Sequence, residues 1–211
     1  MNEDARQHAP SAARNRDPIW TVIGPQLPPR GLVLEIASGS GEHTVHFARL
    51  AGPQIIFQPS DPDAPARASI DAWATASGLT NIRPALPLDA ASHAWPIDSA
   101  DVVVCINMIH ISPWASTVGL VRGAAHVLPP GGLLFLYGPY RRDGRHTAPS
   151  NEAFDMDLRR RNPAWGVRDL EAVADFATAA GFEAPSITPM PANNLSVLFR
   201  RGAYRCSAID G

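Results

Sequence analysis

Leu32-Val33-Leu34-Glu35-Ile36-Ala37-Ser38-Gly39-Ser40-Gly41-Glu42-His43 is the stretch on which the fold turns. A short apolar run ends in an acid, passes through a turn of small residues, and opens into a helical pattern at Thr44. That order spells a strand, a glycine-bearing loop and a helix N-terminus, which together turn backbone N–H groups toward a ligand. Gly39 and Gly41 lack the Cβ atoms that would block close approach to the loop.

Outward from this stretch, strands and helices alternate. Pro28-Pro29-Arg30-Gly31 breaks the chain before a first strand at 32–37, and a helix over about 42–51 is stopped by Gly52-Pro53. A second strand at 55–58 leads to a helix over about 63–77, terminated by Gly78, and then to a third, less apolar strand at 82–86. The run 101–107 is apolar without alternation, the mark of a strand buried on both faces in a parallel sheet. A helix over about 113–128 starts at Ser112-Pro113, and Pro129-Pro130-Gly131-Gly132 separates it from a strand at 133–137. After a helix at about 168–180, strands at 183–190 and 195–201 are joined by Pro191-Ala192-Asn193-Asn194, a hairpin connection. The pattern predicts an α/β fold, a doubly wound Rossmann-like sheet of about seven strands with a closing antiparallel strand.

Residues 1–211 fit one domain large enough to bury a core. Residues 1–16 are expected to be mobile or to form a flap, and Arg14 to Pro18 could cap a short helix through Ile19, Trp20 and Ile23. Residues 138–166, rich in arginine and broken by Gly and Pro, form an insertion expected to cover the acceptor. A net charge of −2 offers no general attraction to nucleic acid or anionic membrane. The first thirteen residues lack the apolar core of a signal peptide, and no run is long enough to span a bilayer. The two cysteines, Cys105 and Cys206, are far apart and support neither a disulfide framework nor a zinc pair, so a cytoplasmic protein is expected.

The ligand follows from the loop and from the acids behind it. A dinucleotide loop wants a third glycine where Thr44 stands, and the Gly-Lys-Ser/Thr of a P-loop is missing. Glu35 would be an awkward neighbour for a pyrophosphate, whereas an acid there suits a ligand with an amine or a positive centre. That favours S-adenosylmethionine over NAD or ATP. Asp61, after the second strand, is placed to accept both ribose hydroxyls. Asp89, with Ala90 beside it after the third strand, could receive the adenine amino group. One such acid commonly only caps a helix; three on one sheet edge with the glycine loop are hard to read that way.

The segments 34–43, Gln58-Pro59-Ser60-Asp61-Pro62, 105–114, Leu136-Tyr137-Gly138-Pro139-Tyr140 and 190–195 resemble a family of methyltransferase-like proteins long catalogued only as a domain of unknown function. The resemblance runs from about Arg14 to Arg200. It implies a class I S-adenosylmethionine-dependent methyltransferase fold and much less about the acceptor. Ala37 departs from the general pattern, in which the loop begins with glycine; alanine is still small, so donor binding is expected to survive.

Methyl transfer from a sulfonium is an in-line displacement in which orientation alone can supply roughly 7–11 kcal/mol. A general base, worth typically about 10²–10⁴-fold, is therefore optional. Asn107 offers an acceptor and a donor for orienting a substrate. His110 is the candidate base, with a structural role at the helix start as the alternative. Tyr140, Arg141, His146, Asn151, Phe154, Asp155 and Trp165 could line the acceptor pocket, with Tyr140 also a candidate catalytic residue beside Asn107 and His110. Arg14 and Asn15 could fold over the donor, and His43 could touch it or cap the helix. Arg159-Arg160-Arg161 reads as a solvated face, Asn193-Asn194 as turn positions or pocket amides. His43 and His46 lack a third ligand, so no metal is expected. Ser38 and Ser40 do not form a nucleophile elbow.

The sequence thus points to a methyltransferase of small-molecule acceptors, with no nucleic-acid or membrane partner and a homodimer left open. The competing possibilities are a catalytically silent S-adenosylmethionine-binding module acting through a protein partner, and an NAD-dependent oxidoreductase, the latter disfavoured by Thr44 and Glu35.

Overall fold

In chain order the chain forms α1 (Pro10–Ile23), β1 (Gly31–Ile36), α2 (Glu42–Ala51), β2 (Ile55–Pro59), α3 (Ala64–Ser77), β3 (Val102–Ile106), α4 (Trp114–Val127) and β4 (Leu133–Pro139). A two-residue hairpin of β5 (Arg141–Arg142) and β6 (Arg145–His146) follows, then α5 (Pro149–Arg161), α6 (Leu170–Ala179), β7 (Ser186–Met190) and β8 (Asn194–Arg200). The structure is a computed structural model describing residues 5–203; Cys206 lies outside them, and Cys105 is a buried free thiol.

The main sheet has the order β2-β1-β3-β4-β8-β7. Its first four strands are parallel, and β8 and β7 close it antiparallel. Val33, Val102, Val104, Phe135 and Tyr137 face α1 and α2, where Ile19, Ile23 and Phe47 cover them. Leu34, Val103, Cys105, Leu134 and Leu136 face the other way, against Leu120, Val121 and Ala124 of α4 and Val173 of α6. Both faces are therefore dry, which is why β3 reads as an unbroken apolar run. No helix among the described residues is long and apolar enough to cross a membrane.

The strand expected at 82–86 does not form, so the sheet has six strands rather than seven. The segment does run beside β2 with parallel bridges at Phe57↔Ile82 and Ser60↔Leu86. Between the bridges, Pro59 and Pro84 each lack an N–H, and a ladder cannot continue without donors. Gln58 Nε2 fills the gap by donating to the carbonyls of Pro84 (2.8 Å) and Pro59 (3.1 Å).

Two segments gain more structure than local pattern showed. The N-terminal region expected to be mobile or a flap is helical from Pro10 onward, with Ala12, Ile19 and Ile23 buried. Ahead of it, Gln7 N–H donates to Ser69 Oγ (2.8 Å) and Ala9 N–H to Glu42 Oε2 (2.7 Å), strapping the chain across the start of α2 and the middle of α3. In the insertion, Pro149 starts a helix with Pro at its first turn. Asn151 Nδ2 donates to Asn193 O (2.9 Å), tying that helix to the β7–β8 turn.

Candidate functional site

The turn after β1 is held by backbone that few side chains tolerate. Ala37, Gly39 and Gly41 all have positive φ, at 55°, 58° and 92°. The two glycines serve different ends. A Cβ on Gly41 would stand 2.8 Å from the Ile70 Cα, so this glycine lets α2 lie close against α3. A Cβ on Gly39 would meet nothing within 4 Å, leaving open space in front of the loop. No side chain caps α2, so its first N–H groups and positive dipole end face that space.

The loops after β1 and β2 are stitched together. Ser38 N–H donates to Ser60 O (2.9 Å), and Ser60 Oγ–H to Glu35 O (2.8 Å). Asp61, 7% exposed, accepts from Gly39 N–H through Oδ2 and from Asp63 N–H through Oδ1, both at 3.0 Å. Burial raises its carboxyl above the ordinary carboxylate range, against the pull of these two donors. Glu35 is buried and accepts from the Thr44 hydroxyl, and burial pushes it up to about 7. Thr44 thus replaces the third glycine of a dinucleotide loop with a tie from α2 back to β1. Asp89 is exposed on the same sheet edge, where its Oδ1 accepts from Ala91 N–H (2.9 Å). Ala90 is buried against Gly119 of α4, where a Cβ would come within 2.1 Å of its carbonyl oxygen.

Beyond Asn107 the same edge opens into a cavity of roughly 930 Å³. Its floor is Asn107, Tyr137 and Pro139 at the ends of β3 and β4. Ser11, Arg14, Asn15 and Pro18 of α1 form one wall, Ser150, Asn151 and Phe154 of α5 another, and Pro191, Ala192 and Asn194 complete it. Asn107 is itself left-handed (φ 62°), its N–H donating to Tyr137 O (2.8 Å). The carboxamides of Asn15 and Asn194 hold the Tyr137 hydroxyl, while burial raises its pKa. Asn15 Oδ1 also lies 2.8 Å from His43 Nε2, so α1 links the glycine loop's helix to the cavity floor. Burial drives His43 down to about 4, keeping it neutral.

The structure corrects two proposed catalytic residues. His110 is fully buried; its Nδ1 accepts from Arg168 N–H (3.2 Å), and it does not line the cavity. Tyr140 is also fully buried, edge-on to His110 at 5.0 Å, with no hydrogen-bond partner for its hydroxyl among the described residues. The reason is strand alternation. Tyr137 and Pro139 point to the α1 side, whereas Tyr140 points into the opposite core with Leu136. Tyr137 is the site residue that sequence reasoning missed, and counting faces along 133–140 could have found it. Ser11, Pro18 and Ser150 carry no such signal.

Of the other expected pocket residues, Asn151 and Phe154 line the cavity. Asp155 instead accepts from Val167 N–H (2.6 Å) and pairs with Arg159, and His146 lies beside it at 3.5 Å. Arg141 pairs in the hairpin, and Trp165 sits under the Arg161 guanidinium. Arg159, Arg160 and Arg161 form ion pairs with Asp155 and Asp157 on their own helix. In the β7–β8 turn the left-handed residues are Ala192 and Asn193; Asn194 is extended. His46 lies 2.8 Å from Asp17, apart from His43.

The buried histidines set a pH dependence. Burial, aided by the nearby Arg168 charge, drives His110 from 6.5 down to about 3. In the unfolded chain the imidazole takes up a proton near 6.5, whereas in the folded protein it stays neutral, so acid favours unfolding as pH falls through that window. His43 acts in the same direction. Glu35, raised to about 7, acts oppositely between about 4.5 and 7, as does the raised Asp61 on the acid side, while the lowered His46 adds to the histidine effect. Urea midpoints should therefore fall from about pH 7 to pH 5, and His110→Gln should shrink the fall. An equal fall in the variant would clear His110 of responsibility.

Comparison with known proteins gives both a family and a fold. A family model described as "Protein of unknown function (DUF938)" matches residues 6–201. An O-methyltransferase family protein from Burkholderia thailandensis superposes with a TM-score of 0.78 at 18% identity, over 92% of this chain and 58% of that one. The mitomycin 7-O-methyltransferase MmcR gives 0.77 at 18% identity, over 91% and 54%. Human N-acetylserotonin methyltransferase, in complex with SAM, gives 0.70 at 17% identity, over 87% and 53%. The fold is that of the class I methyltransferases, and the chain spans a little over half the length of these structures.

Proposed function

Because the chain belongs to the DUF938 family, whose description carries no activity, we propose from its own site that it is an S-adenosylmethionine-dependent methyltransferase acting on a small-molecule acceptor. The observation that carries this is one continuous sheet edge. It holds an open turn at Gly39 clamped by Asp61, and beside it, past Asn107, a walled cavity of roughly 930 Å³. That is within the usual size range of small-molecule sites, about 300–1,000 Å³.

On this reading the donor lies against Ser38, Gly39 and the start of α2, with its amino acid end toward Glu35. Asp61 accepts from the ribose hydroxyls, and Asp89 with Ala90 borders the adenine. The open Cβ direction at Gly39 and the free lone pairs of Asp61 fit such a group. The donor supplies an already activated methyl group. The protein's part is to align the acceptor through Asn107 and the Tyr137 hydroxyl and to exclude water with α1 and α5. That the human N-acetylserotonin methyltransferase structure contains SAM supports the same choice of donor.

Calorimetric titration with S-adenosylhomocysteine and, separately, with NAD tests the proposal. Saturable binding of S-adenosylhomocysteine without NAD binding is expected; the reverse result would sink it.

A further inference from the structure

We infer that the acceptor is an amphipathic carboxylic acid, methylated as its carboxylate, with the Arg14 guanidinium recognising the charge. This rests on the methyltransferase proposal above and names its substrate class. Three observations converge on it.

Arg14 is the charged side chain among the described residues that line the cavity. It is exposed there on α1, and no acid among the described residues pairs with it. A cation held without a partner on a cavity wall asks for an anion. The remaining lining is carboxamides, hydroxyls, prolines and the face of Phe154, which suits a neutral, partly apolar body.

The acid–base inventory points the same way. His110 and Tyr140, the candidates read from the sequence, are sealed in the opposite core, and no histidine, aspartate or glutamate among the described residues lines the cavity. Tyr137, which does reach the cavity, is a weak acid at neutral pH, and its hydroxyl is engaged by two carboxamides. An acceptor that arrives already deprotonated needs no base. A carboxylic acid, with a pKa near 4, meets that condition; a phenol, near 10, does not. Asn107, whose carboxamide has no partner among the described residues, is free to orient the carboxylate at the donor side.

The step balances. A carboxylate oxygen forms the bond to the methyl carbon as the carbon–sulfur bond breaks, and the bonding pair passes to sulfur. The sulfonium charge and the carboxylate charge cancel, giving a neutral methyl ester and S-adenosylhomocysteine, with no proton released.

The test uses the full-length protein with methyl-labelled S-adenosylmethionine. The panel contains aromatic and medium-chain carboxylic acids, each matched to the phenol or alcohol, thiol and amine of the same skeleton. The expected product is a methyl ester that releases labelled methanol in alkali, formed at a rate that, with donor saturating, does not climb toward about pH 9 as the ionisation of a phenol or thiol acceptor would make it. Arg14→Leu should raise KM for the acid by about 10–100-fold, the worth of one charge-assisted hydrogen bond. It should weaken calorimetric binding of the acid likewise and leave S-adenosylhomocysteine binding unchanged. Arg14→Lys should restore part of the loss. Label appearing only on phenols, thiols or amines overturns the inference. So does an Arg14→Leu variant that loses S-adenosylhomocysteine affinity, which would place Arg14 on the donor. Binding of S-adenosylhomocysteine with no acid methylated removes the carboxylate assignment alone; no binding in the unaltered protein removes the methyltransferase proposal beneath it.

Discussion

Asp61→Ala is expected to weaken S-adenosylhomocysteine binding by about 10²–10³-fold, from the loss of charge-assisted hydrogen bonds worth roughly 1.5–3 kcal/mol each. The carboxylate has two duties. It fixes the Gly39 and Asp63 N–H groups, each at 3.0 Å, and so holds the glycine turn in register with the loop after β2. Its remaining lone pairs face the open side of the turn, where the proposed ribose hydroxyls would donate. Alanine removes both the clamp and the acceptor. Asp61→Asn keeps one acceptor oxygen and should lose less. Calorimetry at fixed pH, with thermal unfolding as the control for folding, decides the matter. Unchanged affinity in Asp61→Ala would take Asp61 out of the donor site.

Gly41→Ala is expected to cost about 2–5 kcal/mol of folding stability, combining left-handed strain with overpacking. At φ 92° a side chain is strained before any neighbour is considered, and the new Cβ would lie 2.8 Å from backbone of α3. Backbone cannot swing aside as a flexible side chain can, so α2 and α3 must separate. Gly39→Ala provides the contrast. Its Cβ would enter open space, so only the conformational cost, about 1–2 kcal/mol, is expected in stability, with the larger effect falling on donor affinity. Urea unfolding of both variants separates the two. Equal, small losses would mean that the helices do not meet as described.

Much of this architecture was legible from local pattern. The unbroken run 101–107, the glycine turn after Glu35 and the paired runs near the C-terminus became β3, the β1–α2 junction and the antiparallel β7–β8 closure. Where the pattern misled, a long-range partner was responsible. Residues 82–86 carry strand-like side chains, but the two bridges to β2 differ in offset by one residue, with Pro59 and Pro84 between them, and the ladder is interrupted there. Residues 149–161 have almost no apolar periodicity to reveal a helix; α5 presents a narrow seam of Asn151, Asp155 and Leu158 to the protein.

The candidate site divides in the same way. Asp61 and Asn107 were chosen from their places at strand ends, because every parallel strand of this kind delivers its C-terminal residue to one edge. His110 and Tyr140 were chosen for their chemistry, and chemistry does not say which face of a sheet a residue occupies. Tyr137 and Tyr140 are three residues apart, and that odd spacing alone sets them on opposite sides.

By itself, then, the sequence determined the strand–loop–helix order, the line of acids behind it and the sheet edge that carries the candidate site, since these follow from periodicity, glycine and chain direction. Only the tertiary structure decided that Gly39 faces open space while Gly41 faces α3, and that Tyr137 rather than Tyr140 reaches the cavity. It also decided that Arg14 stands over that cavity. Each of these depends on which distant segment packs against a residue, and no local pattern encodes that.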